Sequence, residues 1–94
     1  MANKVKEHWY VLVMTKNGAV FVTGTSGYNT AKWDKNKPPM EYSKGYAKDM
    51  AFGLTVNGYL AYAVSTNYEV KTQPYNYANG NFYWRKKKEK KNEN

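Results

Sequence analysis

The stretch WYVLVMTKNGAVFVT, residues 9–23, decides the fold. Two apolar runs, Trp9 to Thr15 and Ala19 to Thr23, flank the pair Asn17-Gly18. Asn-Gly accepts the positive φ angles of a type I′ turn, so the pattern predicts a β-hairpin. In the register set by that turn, Met14 faces Phe21 and Val13 faces Val22. One face then carries Trp9, Val11, Val13, Val20 and Val22, and the other Tyr10, Leu12, Met14 and Phe21. Both faces are apolar, which predicts a hairpin covered on both sides or lying centrally in its sheet.

Outward from the hairpin, Gly24 to Pro39 is rich in Gly, Ser, Thr, Asn, Lys and Pro and reads as a long loop, with Trp33 as its anchor into the core. Ser43 to Val56 reads as a helix, capped by Ser43 and stopped by Asn57-Gly58. Tyr46, Ala47, Met50, Ala51 and Leu54 fall within about 140° of one another and form its apolar stripe. Gly45 and Gly53 each weaken it by about 1 kcal/mol, so packing must hold it. Phe52 and Val56 point away from the stripe, either under another segment or as a contact patch. Tyr59 to Thr66 reads as a strand, and Tyr68 to Thr72 as a half-exposed edge strand ended by Pro74. The fold class is therefore α+β: a small antiparallel sheet with one helix, in the order β-β-α-β-β.

A third Asn-Gly, Asn79-Gly80, predicts a C-terminal aromatic hairpin over residues 73–84. A type I′ turn there puts Tyr75, Tyr77, Phe82 and Trp84 on one face. An isolated hairpin is marginal in water, so it should dock on the body or continue its sheet. Residues 1–84 are thus read as a single α+β domain and residues 85–94 as a disordered basic tail.

The net charge of +8 divides unevenly. Residues 85–94 hold six Lys/Arg against two Glu, and residues 1–84 hold nine Lys against five acids, so each part carries +4. Half the charge sits in about a tenth of the chain, which attracts nucleic acid, anionic membrane or acidic protein. The absence of cysteine excludes disulfides and thiolate metal sites and fits a reducing compartment. Residues 1–8 contain no apolar h-region, so no secretory signal is expected. The longest apolar run, Trp9 to Met14, falls far short of the ~20 residues of a membrane span. A soluble, cytoplasmic protein is the expectation.

Catalytic readings fail by subtraction. His8 is the single histidine, and no nucleophile elbow surrounds Ser26, Ser43 or Ser65. Gly24-Thr25-Ser26-Gly27 lacks the Lys-Ser/Thr and the helix of a phosphate-cradling loop. No enzyme activity, metal or cofactor is expected. Aromatic and basic residues side by side carry the more specific chemistry. Tyr75, Tyr77, Phe82 and Trp84 run directly into Arg85, Lys86, Lys87, Lys88, Lys90 and Lys91. Aromatic faces stack unpaired bases at about 1–3 kcal/mol each while cations neutralise phosphates, which suits RNA or single-stranded DNA. Two roles stay open for the hairpin face: packing onto the domain, or meeting a ligand. Exposed, it would equally supply hot spots for an acidic or nucleic-acid-handling protein, as an inhibitor or adaptor.

The opening hairpin, Phe21-Val22-Thr23, Ala31-Lys32-Trp33, Tyr46-Ala47, Leu54 and Asn57-Gly58-Tyr59 together resemble small accessory proteins of phages and prophages of Gram-positive bacteria. The resemblance covers Tyr10 to Val64. It implies a bacterial host cytoplasm and a role in phage biology, including interference with a host nuclease or defence protein. It transfers no functional residues.

Overall fold

The computed structural model describes residues 6–16, 18–25, 30–74 and 80–84, with the backbone alone for 81–83. It is α+β, as expected. The order is β1 (His8–Thr15), β2 (Gly18–Phe21), β3 (Gly24–Thr25), β4 (Thr30–Trp33), α1 (Lys44–Val56), β5 (Leu60–Thr66) and β6 (Gly80–Tyr83). Among the described residues the strands form two antiparallel three-stranded sheets, ordered β2-β1-β5 and β3-β4-β6.

The opening hairpin forms with its expected faces but a different register. Val13 stands opposite Val20 and Leu12 opposite Phe21, which brings Thr15 opposite Gly18. Gly18 has φ 130°, which glycine alone adopts readily, and its carbonyl accepts a 2.7 Å bond from the Thr15 hydroxyl. The slip is two residues, and side chains alternate with period two, so every side chain keeps its predicted face. Val11, Val13, Val20 and Val22 are buried under α1. Burying each such side chain contributes about 1.5–3 kcal/mol.

On the opposite face Tyr10 is also buried, tilted against Phe21 with ring centroids 5.7 Å apart. Residues 68–72, expected as an edge strand, form no strand and instead run beside Tyr10. The Val70 N–H donates to the Tyr10 hydroxyl at 2.8 Å. The Gln73 side-chain amide accepts from Phe21 N–H and donates to Phe21 C=O, at 2.9 and 3.0 Å. Those bonds take the place of a neighbouring strand on the outer edge of β2.

Residues 24–39 are not a featureless loop. They contain β3 and β4, with Ala31 and the expected anchor Trp33 buried. β6 pairs with β4, Gly80 opposite Trp33 and Phe82 opposite Ala31. The 80–83 strand thus continues a sheet of the body, while the turn and partner strand expected at 75–79 lie outside the described residues. The observed order therefore departs from β-β-α-β-β by the pair β3–β4 before the helix and the missing strand after β5.

Helix α1 begins where expected: Ser43 Oγ accepts from Tyr46 N–H at 3.2 Å. It ends at Asn57, whose N–H bonds back to Gly53 and Leu54, and Gly58 takes φ 100°. Ala47, Met50, Ala51 and Leu54 are buried. Tyr46 lies at the margin of that stripe and remains 43% exposed.

Candidate nucleic-acid interface

Among the sequence-predicted binding residues, Trp84 has a fully described side chain, and it is 3% exposed within the core. Its ring tilts against Tyr46 at a centroid distance of 5.6 Å. Its main chain and ring edge press on Gly53, so closely that a Cβ there would overlap them. Trp84 therefore acts as an anchor and presents no free ring face for base stacking, which corrects the reading of it as a stacking residue. Phe82 contributes backbone to β6, and its side chain is outside the described set. Tyr75, Tyr77, Arg85, Lys86, Lys87, Lys88, Lys90 and Lys91 also lie outside the described residues.

Trp84 meets Tyr46, which in turn stacks on Tyr42 with centroids 5.2 Å apart and planes 12° from parallel. Tyr46 was not singled out by the sequence because its spacing counted it into the buried stripe. The signal available was Tyr42, four residues earlier across the N-cap.

The same end of α1 is basic. Its first turn holds no acidic residue, and Lys44 and Lys48 place their ammonium groups 5.8 and 5.7 Å from the centroid of the Trp9 ring. Both contacts lie within cation–π range. Lys44 sits near the positive end of the helix dipole, an arrangement that a phosphate would relieve.

The opposite character appears around Glu41. Its carboxylate lies 3.0 Å from His8 Nδ1 and 3.7 Å from Lys6 Nζ. The His8 contact first, then Lys6, holds its pKa below the ordinary carboxylate value. A cleft of about 310 Å³ beside it is lined by Tyr10, Pro39, Glu41, Glu69 and Lys71 among others. Two carboxylates against one lysine make that cleft unfavourable for phosphate.

Tyr42 has its hydroxyl buried without a hydrogen-bond partner among the described residues. Burial first, and the neighbouring Tyr46 second, push its pKa well above the usual phenol value. No group of three His, Cys, Asp or Glu side chains among the described residues could hold a metal, and no described helix is long and apolar enough to cross a membrane. Comparison with known proteins finds no family model, curated protein or solved structure that matches the chain.

Proposed function

We propose that this chain is a non-enzymatic accessory protein of phage type that binds RNA or single-stranded DNA, its basic 85–91 run acting together with the Tyr46 end of α1. The observation that carries the reading is the juxtaposition at Trp84. The buried Trp84 indole, immediately before the basic run in sequence, lies against the part-exposed Tyr46 ring of α1. In this reading Arg85, Lys86, Lys87, Lys88, Lys90 and Lys91 neutralise phosphates and Tyr46 offers a ring to a base. Tyr75, Tyr77 and Phe82 are further stacking candidates in this reading, and Trp84 serves as the anchor.

The test is a salt titration of oligonucleotide binding, single-stranded against duplex. The full chain is compared with one in which Lys86, Lys87, Lys88, Lys90 and Lys91 are all glutamine. Each phosphate contact contributes about 0.7–0.9 to the slope of log K against log salt, so the substituted chain should lose several units. No binding of either chain at about 50 mM salt would sink the proposal.

That outcome would promote the second reading, a protein-binding inhibitor or adaptor acting on a host nuclease or defence protein. The exposure of Phe52, Val56 and Tyr68, at 69%, 62% and 79%, favours it. Apolar groups of this size, left in water, are the usual material of interface hot spots.

A further inference from the structure

The two outer edges of the β2-β1-β5 sheet are treated differently. On β2, the Gln73 amide occupies both backbone groups of Phe21. On β5 no such cap is present among the described residues. Val11 and Trp9 direct their carbonyls away from β5, to Val22 and Tyr42. Tyr10, Leu12 and Met14 must therefore exchange the bonds with Val64, Tyr62 and Leu60. Ala61, Ala63 and Ser65 are left with their N–H and C=O groups aimed outward. The single described contact on them is the Thr55 hydroxyl to Ala61 C=O, at 3.4 Å. A carbonyl has two lone pairs, so that contact leaves Ala61 able to accept again.

The strand itself, LAYAVST, contains no charge and no proline, the usual devices that keep edges apart. Its outward-facing Leu60 and Tyr62 are 51% and 49% exposed.

We infer that the β5 edge pairs with β5 of a second copy of this chain, antiparallel about a two-fold axis through Ala63. The register is self-complementary. Ala63 meets its own copy, Ala61 meets Ser65, and on the other face Tyr62 meets Val64, an aromatic on a β-branched residue. The small Ala61, Ala63 and Ser65 share the helix side, so no bulky strand side chain lies between the two helices. Strands lie about 4.8 Å apart, and α1 packs over β1 and β5. Two copies of α1 would then run antiparallel about 10 Å apart, a normal helix-packing distance. The flank of α1 facing this gap carries Lys48, Phe52 and Thr55, since Thr55 touches the edge and Gly53 faces Trp84 on the far side. A second copy would thus cover Phe52 as well as the strand. The inference does not depend on nucleic-acid binding.

Because the chain has no cysteine, one introduced thiol reads the register directly. In the proposed dimer the two Ala63 Cα atoms lie about 5.5 Å apart, within disulfide range. The two Ser65 Cα atoms lie about 14 Å apart, beyond it. Ala63→Cys should cross-link under mild oxidation and Ser65→Cys should not. The unmodified full-length protein should sediment as a dimer at about 100 μM. Tyr62→Lys should weaken association at least tenfold with unchanged circular dichroism. If that variant fails to fold, the two thiol variants decide. A protein still monomeric at about 500 μM, or cross-linking of Ser65→Cys in place of Ala63→Cys, would overturn the inference.

Discussion

Gly53 sits inside α1, where alanine would raise intrinsic helix propensity by about 1 kcal/mol. The main chain of Trp84 occupies the space a Cβ would need, so the missing side chain is what lets the end of β6 close on the helix. Gly53→Ala should therefore destabilise the protein by about 1–3 kcal/mol in urea unfolding, against the propensity trend. A gain in stability would show that Trp84 gives way easily. Tyr42 makes the complementary point about a polar atom. Its buried hydroxyl has no described partner, so Tyr42→Phe should be neutral or stabilising by up to about 1 kcal/mol at pH 7. Since its folded pKa is raised, the neutral phenol contributes stability below the unfolded value near 10, and that contribution is lost as pH rises further. The phenylalanine variant should lose stability less steeply above pH 10, by at most about 1.4 kcal/mol per pH unit. Identical alkaline slopes for the two proteins would refute this account.

At the scale of elements, the two sheet edges show how a single side chain substitutes for a strand. Gln73 offers Phe21 one acceptor and one donor at the spacing a neighbouring peptide would offer. Gln73→Ala leaves both part-buried backbone groups unpaired, which should cost about 1–2 kcal/mol. Faster hydrogen exchange at the Phe21 amide is the local readout, and unchanged exchange would mean water replaces the side chain at no cost. The same comparison explains a misread element. Tyr68 to Thr72 alternates like a strand, but its Tyr68 and Val70 N–H groups donate to the hydroxyls of Thr66 and Tyr10 and its successor Gln73 bonds through a side chain, so no ladder forms. Alternation in sequence reports which side chains are covered and says nothing of where the backbone bonds go. β3 and β4 were missed for a related reason. They span two and four residues, and β4 finds β6 about 50 residues away, beyond any local pattern.

For the whole molecule, charge and packing were legible to different degrees. The lysine-rich run after Trp84 is plain in the sequence, because charge is a sum over residues and needs no fold. The two faces of the opening hairpin were equally plain, since period-two alternation fixes parity, and a slip of two residues changed the pairing without moving any side chain across the sheet. The N-cap, the helix and the Trp33 anchor followed from local chemistry in the same way. The fate of Trp84 did not. A hairpin face of aromatics has the same sequence whether it meets solvent or core, and the choice rests on a glycine some 30 residues earlier that leaves room for it. Alternation, caps and charge were thus determined by the sequence itself, because each depends on neighbours along the chain. Burial of Trp84, exposure of Tyr46 and a β5 edge without a cap among the described residues were decided by the tertiary structure, because each depends on which distant backbone comes to lie beside it.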